Sequence, residues 1–191
     1  LSGLDVADTL IDLAKKRTAE AGSENTDFSV GSVLDLGRIF SGRTFDLIVS
    51  QRCLINLPTW EDQRNAMLQA RDLLADDGVF VLTEGFDREM ENLNRVREAM
   101  GLDLIKVVDY NEMFVNDVFD AFVDEYFETV AIGSYGLYLY LSRVFHPLQV
   151  LPDPPRHDSP INELAMKLAL ADNDSTCDRY SFNKFYALKK K

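Results

Sequence analysis

Phe45-Asp-Leu-Ile-Val-Ser-Gln51 is an apolar run that opens on an acid and closes on polar residues, and Gly78-Val-Phe-Val-Leu-Thr-Glu84 repeats that design. Runs of this kind suit strands buried on both faces. The stretch between them is helical by spacing, with Ala66, Met67, Ala70, Leu73 and Leu74 on one side. Thr59 is its cap, with Asp62 three residues on as a variant capping box. Two buried strands joined by a helix require parallel pairing and a right-handed crossover. In open sheets of this class, ligands bind outside the carboxyl ends of the strands. Ser50, Gln51, Arg52 and Glu84 are therefore the first candidates for a site.

The flanking sequence extends the pattern. Leu1 to Asp5 reads as a short strand ending in an acid, and Asp8 as the cap of a helix that Gly22 ends. Asp27 to Val30 is a further strand, Ser32 to Arg43 irregular, and Asp76-Asp77-Gly78 a turn. Helices are predicted over Arg88–Met100, Asn116–Glu125 and Pro160–Ala171, the last capped by Ser159 with proline in first position. Phe127–Ile132 and Phe182–Leu188 are strands, the second followed by three solvated lysines. Gly136 to His146 reads as helix or lid. The fold predicted is α/β: a single domain over 1–191 with a mostly parallel sheet flanked by helices, one antiparallel strand near the end, and a substrate-side lid around 86–126 and 134–160.

A net charge of -12 argues against nucleic acid or an anionic membrane as partner, since both are polyanions. No apolar run is long enough to span a bilayer and no signal-peptide pattern opens the chain. Cys53 and Cys177 are far apart and show no metal-ligand spacing, so a reduced, cytoplasmic protein without a metal site is expected. Leu1 falls directly in a strand-like segment, and the chain reads as beginning within a domain.

Four segments together resemble the class I S-adenosylmethionine-dependent methyltransferases. Ser2-Gly-Leu-Asp-Val-Ala-Asp8 looks like the end of the family's second strand, and Phe28-Ser-Val-Gly-Ser-Val-Leu34 like the end of its third. Phe45-Asp-Leu-Ile-Val-Ser50 looks like its fourth, and Leu73-Leu-Ala-Asp-Asp-Gly-Val-Phe-Val-Leu82 like the turn into its fifth. Asn92-Leu-Asn-Arg-Val-Arg97, Arg143-Val-Phe-His-Pro147 and Asp158-Ser-Pro-Ile-Asn162 look like a bacterial subgroup linked with surface saccharides. The resemblance implies S-adenosylmethionine as cofactor, with Asp5 and Val6 at the ribose, Ser32 and Val33 at the adenine, and Ser50 near the reacting methyl. It implies Gln51, Arg52 and Tyr135 on the substrate side, Glu84 and His146 as catalytic candidates, and Arg52, Glu84 and His146 around one cleft. The acceptor it implies is a small molecule, with a saccharide hydroxyl as the specific expectation. One departure stands out: the family's first strand and its glycine-rich loop are missing. The second and fourth strands are then expected to pair directly or to be completed by another chain, as in a homo-oligomer. Cofactor binding by this chain alone is expected to be weak.

Each candidate also has an ordinary structural reading. Asp5 has the strongest case, since an acid there suits two vicinal hydroxyls, with a helix amino terminus as its ordinary reading. Ser32 is also a turn residue. Arg52 suits an anionic group, or a surface ion pair. Cys53 has no basic neighbour and reads as a buried thiol, and Asn56 as closing a turn. Glu84 is a base, an orienting group or a plain strand-end acid. His146 and His157 make no metal motif. Tyr135, Tyr138 and Tyr140 line an acceptor pocket or simply pack. Two rivals to methyl transfer stand beside it: a non-enzymatic remnant acting as an interaction domain, and a nicotinamide-dependent oxidoreductase, because fold does not fix function.

Overall fold

The computed structural model describes residues 1–171 and 175–191. Its strands are β1 Ser2–Asp5, β2 Asp27–Val30, β3 Phe45–Gln51, β4 Leu74–Gly85, β5 Phe127–Ser134 and β6 Asn183–Lys190. Its helices are α1 Asp8–Glu20, α2 Leu36–Ile39, α3 Trp60–Asp72, α4 Asp87–Ala99, α5 Asn116–Tyr126, α6 Gly136–Tyr140, α7 His146–Val150 and α8 Pro160–Ala171. A π-helical turn over Leu141–Phe145 joins α6 to α7.

Four strands form one sheet in the order β3-β4-β6-β5. β3 is parallel to β4, while β6 runs antiparallel to both β4 and β5. β1 and β2 pair in parallel as a separate ribbon. This is the mixed α/β architecture predicted, with β6 as the antiparallel strand. Of the two arrangements expected, direct pairing of the strand at Ser2–Asp5 with that at Phe45–Gln51 does not occur. Each pairs on one side only, so each keeps an open edge.

Period-two alternation decides what the main sheet buries. Phe80 and Leu82 of β4 and Tyr186 and Leu188 of β6 face Met67 and Ala70 of α3 and Phe119 and Phe122 of α5. α3 packs on that face through Ala66, Met67 and Ala70. The cap predicted for α3 is present: Thr59 Oγ1 accepts the Asp62 N–H at 3.1 Å and donates to the Asp62 carboxylate at 2.7 Å. The opposite face is left open, with Leu47, Val49 and Val130 all more than half exposed.

Four local expectations are corrected. Asp8 is not a cap: α1 begins on it, and Ala7 holds the cap position without a side-chain bond. Ser32–Arg43 is ordered, as a 3-10 turn Val33–Asp35 followed by α2, because the Ser32 hydroxyl accepts the Leu34 N–H at 3.2 Å. Asp76-Asp77-Gly78 is not a turn between elements but a bulge inside β4, where the partner of Phe45 is Leu74 and that of Leu47 is Val79. A Cβ on Gly78 would lie 2.7 Å from the Phe45 carbonyl oxygen, so only glycine permits the approach. Lys190 is not freely solvated: its ammonium donates to the Leu74 carbonyl at 3.0 Å and to Asp76 at 2.9 Å.

Candidate functional site

The two open edges face one another across a groove of about 470 Å³. Arg43 ties the amino ends of its walls together. Its guanidinium donates to the Ser2 hydroxyl at 2.8 Å, stands 3.7 Å from the Asp27 carboxylate and lies over the Phe40 and Phe45 rings. The carboxyl ends also converge, since Asp5 lines the same groove as Ser50, Gln51 and Cys53. β1 and β3 therefore run in the same direction. Val33, Leu36 and Phe40 contribute from the α2 side, and Ala66, Ala70 and Phe80 from the core side, which leaves an apolar interior with polar groups at one end. Gly3 opposes Phe28 across the β1–β2 pair, and a Cβ there would sit 2.5 Å from the Phe28 ring. Glycine at this position lets that ring line the groove.

At the polar end, Asp5 Oδ1 accepts the Ala7 N–H at 2.8 Å, which leaves Oδ2 to accept from a ligand. Ser50 and Gln51 finish the opposite wall. The chain then turns through Arg52, a non-glycine residue in the left-handed region with φ 49. The Arg52 N–H donates to the Thr83 carbonyl at 2.8 Å, and the Asn56 amide donates to the Arg52 carbonyl at 2.7 Å. Glu84 lies behind this turn with no exposed surface. Its Oε1 accepts from the Ser50 hydroxyl and from the Cys53 and Leu54 N–H groups, each at 3.1 Å, and its Oε2 from the Ile55 N–H at 3.3 Å. The main-chain donors open the short 3-10 helix Leu54–Asn56, where unpaired N–H groups favour an anion. Burial raises the Glu84 carboxyl above its ordinary value, and the four donors pull it back in part. Burial, then the charges of Glu84 and Asp5, push the Cys53 thiol up to about 11, so it is no nucleophile at neutral pH.

The groove gathers Asp5, Val33, Ser50 and Gln51 from the sequence candidates. Arg52 is exposed on the turn beside it, and Glu84 is sealed beneath that turn. Ser32 spends its hydroxyl on Leu34, and Val6 is 73% exposed outside the groove lining. Tyr135 follows β5 at the far edge of the sheet, its ring against Phe185 and its N–H on the Ser181 hydroxyl. His146 does not join Arg52 and Glu84 around one cleft. It is buried, with Nδ1 3.1 Å from Asn162 Oδ1, and borders a separate hollow with Asp153, Arg156 and Asp158. Sequence reasoning passed over Arg43, Phe28 and Phe40. The Phe40–Arg43–Phe45 spacing was visible, but its role depends on β1 lying alongside. Among the described residues no group of acids, histidines and cysteines could hold a metal, and no helix is long and apolar enough to cross a membrane.

An apolar groove ending in an acid and an amide suits a flat heterocycle bearing a diol. A family model described as a methyltransferase domain matches residues 1–122. No curated protein matches the chain. Among solved structures, the PH0226 protein from Pyrococcus horikoshii OT3 superposes with a TM-score of 0.59 at 15% identity, covering 100% of this chain and 71% of its own. The N-methyltransferase NodS from Bradyrhizobium japonicum WM9, in complex with S-adenosyl-l-homocysteine, gives 0.54 at 15%, covering 100% of this chain and 65% of its own. PKMT2 from Rickettsia typhi, in complex with AdoHcy, gives 0.57 at 16%, covering 99% and 43%. This chain thus spans less than two thirds of the length of the last two. At such identities these likenesses establish a shared fold. The family match reaches from β1 into α5 and takes in both walls of the groove, and the chain belongs to the methyltransferase-domain family.

Proposed function

We propose that this chain forms the adenosine-binding side of an S-adenosylmethionine-dependent methyltransferase whose acceptor is a small molecule, specifically a saccharide hydroxyl or its precursor. The observation that carries the reading is the groove between the carboxyl ends of β1 and β3. Asp5 Oδ2 would accept from the ribose, and Val33 would lie against the adenine. These residues fit the adenosine half of the cofactor. The methionine half is not matched in the same way. Gly3 is the only glycine lining the groove among the described residues, and its missing Cβ accommodates Phe28. We assign that half to a further parallel strand seated between β1 and β3, supplied by the same polypeptide or by a second copy.

S-adenosylmethionine, when bound, supplies an already activated methyl group. The work of this chain is to hold adenosine, exclude water from the apolar interior and present the acceptor at the β3 end. Gln51 and Arg52 are placed to meet that acceptor, and the planar fork of Arg52 suits an anionic substituent. Glu84 and His146 are buried, which favours structural work over proton transfer at the acceptor. A reducing, cytoplasmic setting suits a chain with two cysteines. The open face around Leu47 and Val49 favours a second reading, an interaction domain without catalysis.

Calorimetry with S-adenosylhomocysteine tests the assignment on the polypeptide as its host makes it. Binding is expected, and Asp5→Ala should weaken it by about 1.5–3 kcal/mol, the contribution of a charge-assisted hydrogen bond. Unchanged affinity in that variant would take the ribose out of the groove. Tight binding by the 191-residue chain as a monomer would show that no added strand is needed.

A further inference from the structure

We propose that Glu84 is a positioning residue: it fixes the turn after β3 so that Gln51 and Arg52 stand where β3 ends, and it takes no part in proton transfer. The proposal rests on the methyl-transfer reading only for the identity of the ligand. Its basis is geometric. A non-glycine residue held in the left-handed region persists only where its surroundings over-determine it. At Arg52 two consecutive residues of β4 do so. The Thr83 carbonyl takes the Arg52 N–H, and the Glu84 carboxylate takes the next three main-chain N–H groups together with the Ser50 hydroxyl on the other side. Both sides of the strained residue are therefore pinned to one strand end. Asn56 adds the last tie through the Arg52 carbonyl.

Every partner of Glu84 donates, and the residue has no exposed surface. A carboxyl group so placed accepts hydrogen bonds and does not itself reach the groove; its one side-chain partner there, the Ser50 hydroxyl, donates to it. Neither shorter nor amide side chains reproduce this. Glutamine would set an NH2 group against either the Ile55 N–H or the three donors at Oε1. Aspartate would fall one carbon short of the turn. Because Ser50, Gln51, Cys53 and Leu54 all line the groove, a turn that relaxes changes the groove wall.

The test is residue-resolved amide exchange and S-adenosylhomocysteine titration of Glu84→Gln, on the polypeptide as its host makes it, with Glu84→Asp in its place if the first variant does not fold. Exchange at Cys53, Leu54 and Ile55 is expected to quicken by about tenfold while amides within β4 and α3 hold their rates, and ligand affinity should fall by about tenfold. A uniform quickening across β4 and α3 is what a merely structural role gives, and it overturns the proposal. So do unchanged rates at the three amides. So does unchanged affinity accompanied by loss of one limb of the pH–turnover profile, which would mark Glu84 as the base. If the unsubstituted protein fails to bind S-adenosylhomocysteine, the functional reading falls, and the exchange rates still decide the role of Glu84.

Discussion

Glu84 shows how little a residue's type says about its work. The sequence places an acid at a strand end, and that identity is compatible with a base, an orienting group or a surface charge. Burial and four donors settle its structural part. They also make a sign prediction. Burial raises the Glu84 carboxyl in the folded chain, so the folded state binds its proton more tightly than the unfolded state does. The stability this group contributes is present below the unfolded value and is lost as pH rises through the raised folded value. Denaturant unfolding measured across that interval should show stability falling with pH, and Glu84→Gln should flatten the fall. Parallel curves for the two proteins would mean that another group titrates there. Cys53 illustrates the same rule for a thiol, since neighbouring negative charge and burial both oppose the thiolate.

At the scale of elements, the signals that survived were the local ones. Thr59, Asp62 and the apolar spacing of α3 specify that helix without help from the rest of the chain, and its cap forms as read. Thr59→Ala should accordingly cost about 1 kcal/mol in a urea titration, with an unchanged denaturant slope. A cost near zero would mean that α3 is held by its buried face alone. The signals that failed were those a distant partner can override. Asp76-Asp77-Gly78 has turn composition, yet β3 approaches so closely that the segment stays in register as a bulge of β4. Asp8 has cap chemistry, yet Asp5 already binds the Ala7 N–H, and the helix begins one residue earlier than a cap at Asp8 would have it.

At the scale of the whole molecule, the main sheet covers one face with α3 and α5 and leaves the other with exposed valine and leucine. With β1 and β3 each open on one side, such a surface invites strand addition. The 191-residue chain is expected to associate as its concentration rises in sedimentation velocity runs, and Val49→Lys to reduce that association, because Val49 is 64% exposed on β3. Concentration-independent sedimentation of the unsubstituted chain would show that the open edges are already satisfied. The sequence by itself determined the order of the strands and of α1, α3, α4, α5 and α8, the parallel β3–β4 pair and the acid at the end of β1. Those features follow from hydrophobic period and end chemistry, which act over a few residues. Tertiary structure alone decided that β1 and β3 face each other without pairing, that Arg43 ties their amino ends, and that His146 lies apart from the groove. Such facts depend on which edges meet and which side chains lose water together, and no local pattern encodes either.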